Sequence, residues 1–180
     1  MKRAGNDVRI EDERLKRLAA DIDALADKDF EARRRTREIA VLRAAAAVDL
    51  HRVCAAFVRE LNGILVRSEV TLDPPEFEPS SFQDNGANLI QIGASGRMIE
   101  IEFESTAELL STEDFRVPYA LSGTVRAFNQ AMLDRHLIEE HLLFYTVERA
   151  GNTWRYFDSR THRTGPLGRE YLVSLMEELV

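Results

Sequence analysis

The chain has 180 residues, of which 31 are acidic and 24 basic, giving a net charge of −7 and a pI near 5.2. That balance disfavours a general polyanion binder, because nucleic-acid affinity rests on Lys and Arg neutralising phosphates, and it leaves basic partners open. The lone Cys54 excludes an intramolecular disulfide, and the longest apolar clusters, such as AAAAV at 44–48, fall short of the roughly 20 residues that span a bilayer. With an N-terminus (MKRAGNDVRIEDERLK) that has no apolar signal core, these features predict a cytoplasmic protein with no membrane segment.

From Val8 to Val66 there is no proline and a single glycine, Gly63. Leu15, Leu18, Ile22 and Leu25 step by three and four, the seam of an amphipathic helix, and are the candidate partner-binding residues. A second seam runs Ile39, Leu42, Ala46, Leu50, Val53, Phe57, Leu61 and Ile64. Between them ADKDFEARRRTR offers Asp27 or Asp29 as a new N-cap, so residues 1–67 form either an αα-hairpin, which the break favours, or one continuous helix. In either form an apolar stripe needs cover, from the chain's own sheet or, as expected here, from another polypeptide or a second copy. The basic run Arg33, Arg34, Arg35, Arg37 and Arg43 reads as a solvated face paired with Glu31 and Glu38. It lacks the asparagine and heptad phase of a DNA-binding zipper.

PPEFEP at 74–79 marks the join to a second region, residues 68–180. LIQIGASGRMIEIEFE predicts a hairpin turning at Ser95-Gly96, with Ile92 opposite Ile99, Ile90 opposite Ile101 and Gln91 opposite Glu100. YALSGTVRA puts Tyr119, Leu121, Val125 and Ala127 on one face and Arg126 on the other, toward the row Glu100, Glu102 and Glu104. FNQAMLDRH suggests a short helix with Phe128, Met132 and Leu133 inward. HLLFYTVERAGNTWRYFD predicts a second hairpin turning at Gly151-Asn152, with Glu148 opposite Arg155 and Val147 opposite Tyr156, and residues 142–147 form a central strand covered on both faces. A final helix begins near Pro166 with Leu167, Tyr171, Leu172, Leu175, Met176 and Leu179 inward. The expected fold is α+β: a long N-terminal helical arm, then a four- to five-stranded antiparallel sheet with a C-terminal helix packed on it.

Chemistry-bearing motifs are few. HLIEEH at 136–141 places its histidines five apart, which no helix or strand turns toward one metal ion, whereas a zincin keeps them four apart. His51 and Cys54 share a helical face but lack further zinc ligands, and Ser95 in GASGR lacks the second glycine of a nucleophile elbow. No phosphate-cradling glycine motif occurs, so no cofactor, metal or catalytic residue is expected. DSRTHRTG at 158–165 gathers Arg160, His162 and Arg163 before a helix N-terminus, the pattern of an anion site.

In the order of its elements, the stretch from about residue 40 to 180 resembles the small acidic dimeric chaperones of type III secretion, in which helix, three strands, helix, two strands and helix alternate. That resemblance implies a dimer binding a client polypeptide. The leading expectation is accordingly a non-enzymatic adaptor or chaperone-like protein, a homodimer that binds another polypeptide and neither nucleic acid nor membrane. The alternative is a small-molecule-binding or sensing domain, with its ligand between sheet and C-terminal helix near Trp154, Tyr156, Arg160, His162 and Arg163.

Overall fold

The computed structural model describes residues 4–110 and 117–180, with side-chain environments for 13–107 and 117–180. The order is α1 (Ala4–Asn62), β1 (Thr71–Asp73), β2 (Asn88–Ala94), β3 (Arg97–Leu110), β4 (Tyr119–Asn129), α2 (Gln130–Asp134), β5 (Glu139–Thr146), β6 (Thr153–Asp158), β7 (Arg163–Pro166) and α3 (Arg169–Glu177). The fold is α+β, as expected. The sheet has seven strands instead of four or five, antiparallel throughout and in sequential order β1 to β7. The two unexpected strands are its edges, three and four residues long. Neither has the alternating pattern that reveals a longer strand, and β7 ends in a proline, which an edge tolerates.

The chain forms two compact units, Met1–Ala40 and Val41–Val180, divided within α1. The break expected at Asp27 or Asp29 does not occur, since α1 runs through that stretch. The local sequence explains this: ADKDFEARRR has no glycine or proline, the Arg34 guanidinium pairs with Glu31 and Glu38 at helical spacing, and the Thr36 hydroxyl bonds back to the Ala32 carbonyl. In the first unit Leu15, Leu18, Ile22 and Leu25 are 66, 55, 56 and 59 % exposed, and Phe30 is equally open.

The second unit has one main core. Ala46, Leu50, Cys54 and Phe57 of α1, with Tyr171, Leu172, Leu175 and Leu179 near the C-terminus, bury one face of the sheet through Ile90, Ile92, Ile99, Ile101, Phe103, Leu121, Val125 and Leu143. From Val41 on, the expected arm therefore belongs to the same compact unit as the sheet and lends one face to its core. Trp154 lies inside this layer, its indole N–H donating to the Ala46 carbonyl at 2.8 Å and its ring edge-on to Phe103. Burial pushes the Cys54 thiol up to about 12.

Arg43 is not part of a solvated face. It is 8 % exposed, pairs with Asp84 and donates to the Ala120 and Thr106 carbonyls, tying α1 to the irregular end of the β3–β4 ladder. The first hairpin has the expected register, Ile92 opposite Ile99 and Ile90 opposite Ile101, around Ser95 and Gly96, which both take positive φ.

The second hairpin does not. Tyr145 pairs with Trp154 and Leu143 with Tyr156, leaving residues 147–152 as the loop. The Val147 N–H bonds to the Pro118 carbonyl, so β5 parts from β6 at Thr146. Burying Tyr145 against Trp154 outweighs an exposed Glu148–Arg155 pair, which contributes about 0–1 kcal/mol. Leu142 remains 37 % exposed, so the strand is not covered on both faces along its length. Leu133 is similarly open, whereas Met132 packs on the core.

Candidate functional site

Strand alternation decides which side chains of β5, β6 and β7 meet α3. Val125 pairs with His141 and Leu143 with Tyr156, so His141, Leu143 and Tyr145 of β5 and Trp154, Tyr156 and Asp158 of β6 share the helix-covered face. Toward the Trp154 end that face is solidly filled. Toward the Asp158 end it opens into a groove of about 580 Å³ between sheet and helix, lined by Glu139, His141, Tyr156, Asp158, Arg160, Arg163, Tyr171, Ser174 and Glu178 among others.

His141 is the centre of this cluster. Its Nδ1 lies 2.8 Å from the Tyr171 hydroxyl, and its Nε2 faces Asp158 Oδ2 at 3.9 Å. The tautomer that suits all three groups carries the proton on Nε2 and accepts the tyrosine O–H at Nδ1. Tyr171 also stacks on Tyr156, ring centroids 4.1 Å apart and planes 10° off parallel. Burial pushes the Tyr171 hydroxyl well above its usual range, so it is a neutral donor.

The carboxylates of the groove are held differently. Asp158 accepts from the Thr161 hydroxyl at 2.6 Å and from the Arg160 backbone N–H at 2.9 Å, and these bonds, the hydroxyl's first, hold it down at about 2. It closes the β6–β7 turn as well as facing His141. Glu139 binds the Arg160 guanidinium at 2.8 Å, which raises that guanidinium further. Glu178 is pushed up by burial and then by neighbouring Glu139, a sign of negative charge crowded into one wall.

Of the five expected ligand residues, Tyr156, Arg160 and Arg163 line the groove. Trp154 is committed to the core, and exposed His162, with φ of 55°, sets its ring edge-on to Phe157 on the other face of the sheet. The expected anion site does not sit at a helix start. Arg160, His162 and Arg163 belong to the β6–β7 turn and β7, and α3 begins at Arg169, after Gly168.

Within HLIEEH, His136 ends the α2 turn with φ of 55° and Glu139 opens β5. Among the described residues no group of three His, Cys, Asp or Glu side chains is placed to hold a metal ion. Sequence reasoning reached His141 through a failed metal motif and Tyr171 through an apolar stripe, without pairing the two. Their meeting depends on how α3 lies across β5, which no local pattern encodes.

The opposite face of the sheet is polar at its middle. Arg126 pairs with Glu100, Glu102 and Glu140 at 3.6, 3.4 and 3.0 Å, the partners expected from the acidic row and one more from β5. The open apolar seam of residues 15–25 is the third candidate surface, and all four of its expected partner-binding residues lie on it more than half exposed.

No protein-family model, curated protein or solved structure matches the chain. The element order reads helix, four strands, helix, three strands, helix, one strand more in each run than the order on which the expected likeness to secretion chaperones rests. Among the described residues no helix is long and apolar enough to cross a membrane.

Proposed function

We propose that this chain is a non-enzymatic adaptor or chaperone-like protein of the cytoplasm that binds another polypeptide as a homodimer, through the seam Leu15, Leu18, Ile22 and Leu25. One observation carries this reading: four large aliphatic side chains on one helical face stand more than half exposed. Water does not favour a helix with an open seam, because most helical stability in proteins comes from packing an amphipathic face. Anchors at i, i+3, i+7 and i+10 are also what helix-in-groove and helix–helix recognition use.

The test is quantitative mass spectrometry of what co-purifies with the tagged full chain and with its Leu18→Glu, Ile22→Glu double variant. The reading expects a polypeptide, a client or untagged copies of the chain itself, held by the parent and depleted at least about tenfold by the variant, the ratio for roughly 1.4 kcal/mol. Identical profiles would end it.

One observation favours a second reading, a small polar ligand beneath α3. The groove keeps about 580 Å³ open beside stacked Tyr156 and Tyr171, with Glu178 and Glu139 crowding one wall. NMR screening with small polar fragments would then shift the His141 ring and α3 resonances together. A screen that moves neither disposes of this reading and leaves the first intact.

A further inference from the structure

We infer that the groove beneath α3 takes a small zwitterion, its ammonium group against Glu178 at the end of α3 and its carboxylate against Arg163 of β7. The inference rests on the small-ligand reading above and names the class of ligand. Most polar groups of the groove are spent on the protein itself. Arg160 holds Glu139 at 2.8 Å, and Glu170 pairs with Arg169 at the same distance. Both Asp158 oxygens take donors from the β6–β7 turn, the Arg160 and Thr161 N–H groups on one and the Thr161 hydroxyl on the other. Two charges are left over. Among the described residues Glu178 has no cation within ion-pair reach, and Arg163 has neither an ion pair nor a side-chain hydrogen bond.

Each is left over for a structural reason. Arg163 stands directly across the ladder from Asp158, so both side chains share the face beneath α3, but the turn already occupies that carboxylate. Glu178 lies against Glu139, whose Oε1 is committed to Arg160. Burial and then this neighbour push the Glu178 carboxyl up, the direction of an acid without a counter-charge. The two groups thus have opposite sign, one on the helix wall and one on the sheet wall, with about 580 Å³ open in the groove they line. That volume is in the range of small-molecule sites. Between the walls His141 Nε2 is 3.9 Å from its nearest carboxylate oxygen, beyond hydrogen-bond distance, and the Tyr156 hydroxyl bonds to no described residue. A plain cation leaves Arg163 unanswered, and a plain anion leaves Glu178. An ammonium brings three donors to the carboxylate wall, and a carboxylate matches the paired N–H groups of a guanidinium. A metal ion does not fit, since among the described residues no three acidic or imidazole groups are placed to ligate one.

NMR titration of the full chain, read at the His141 ring and the α3 resonances, tests this with compounds that differ only in their charged ends. Free glycine, γ-aminobutyrate and ε-aminohexanoate bracket the separation of the two charges, and the amine and carboxylate of matching length are the comparisons. The best zwitterion is expected to bind at least about tenfold more tightly than its matching amine or carboxylate. Glu178→Gln is expected to bring it down to the affinity of the carboxylate, and Arg163→Gln to that of the amine. Both residues are exposed, so both variants keep the fold. An amine or carboxylate that binds as tightly as the zwitterion overturns the inference, as does a zwitterion affinity that neither substitution lowers. Silence from all of these compounds beside shifts from other polar fragments overturns the class alone and leaves the small-ligand reading standing. Silence throughout ends both.

Discussion

The Tyr171 hydroxyl of α3 lies 2.8 Å from Nδ1 of His141 on β5, and this bond ties the C-terminal helix to the sheet where a groove opens between them. Removing the hydroxyl leaves the imidazole nitrogen without its donor while the ring stays stacked on Tyr156. Tyr171→Phe is expected to lower stability by about 1 kcal/mol, and Tyr171→Leu by about 0.5–1.5 kcal/mol more through loss of the aromatic pair. Urea unfolding followed by Trp154 fluorescence measures both. Equal stability for parent and Tyr171→Phe would mean that the hydroxyl does not fasten the helix.

Asp158 gives the acid limb of stability its sign. Its carboxyl is held at about 2 against an ordinary 3.8, chiefly by the Thr161 hydroxyl and the Arg160 N–H, so the folded state binds its proton more weakly than the unfolded state. The contribution is complete above about pH 4 and is lost as pH falls toward 2. Asp158→Asn is expected to flatten the pH dependence of the unfolding midpoint across that window. Glu178, pushed up by burial and by Glu139, has the opposite sign, and Glu178→Gln is expected to raise stability at neutral pH. Thermal unfolding from pH 2 to 7 separates the two.

Buried Arg43 fixes α1 to the sheet through two buried backbone carbonyls, with a further pair to part-exposed Asp84. Removing it leaves those carbonyls without their donor, so Arg43→Ala is expected to cost about 1–3 kcal/mol. Arg43→Lys recovers little, because one ammonium cannot reproduce the planar fork. Denaturant titration of the two variants checks the magnitude and the failure of the conservative change.

Gly123 of β4 pairs with Phe103 of β3. A Cβ there would lie 2.0 Å from the Glu102 carbonyl oxygen and 2.7 Å from Phe103 Cα, both backbone atoms that cannot step aside. Gly123→Ala is therefore expected to destabilise by at least the ~1–3 kcal/mol typical of overpacking, read as a fall in the thermal midpoint. Gly96→Ala meets no neighbour and pays only for its φ of 81°, so it serves as the milder comparison.

Much of this fold is legible in the sequence wherever one local signal decides it. Ser95-Gly96 sets the first hairpin, and Ile90, Ile92, Ile99 and Ile101 then fall into register without outside help. Arg126 finds the acidic row because both lie on the polar face of adjoining strands. Tertiary contacts override local signals elsewhere. Gly151-Asn152 looks like a turn, yet the Tyr145–Trp154 pairing and the bond from Val147 to Pro118 shift the partners of β6 by four residues along β5. Arg43 looks like one more surface arginine, and only the carbonyls of Ala120 and Thr106, 77 and 63 residues away, make it core. The groove under α3 is harder still, because His141, Asp158 and Tyr171 come from three elements and are ordinary in each.

The central claim is that the seam of residues 15–25 is a protein-binding surface filled by a second chain. Sedimentation equilibrium of the full chain beside Leu18→Glu, Ile22→Glu tests it most directly, since neither residue belongs to the buried core of the sheet unit. The account predicts a reversible dimer for the parent and at least about a tenfold weaker association for the variant, with the unfolding midpoint of the sheet unit unchanged. A parent that stays monomeric at about 100 μM, or a dimer that the two glutamates leave untouched, would contradict it.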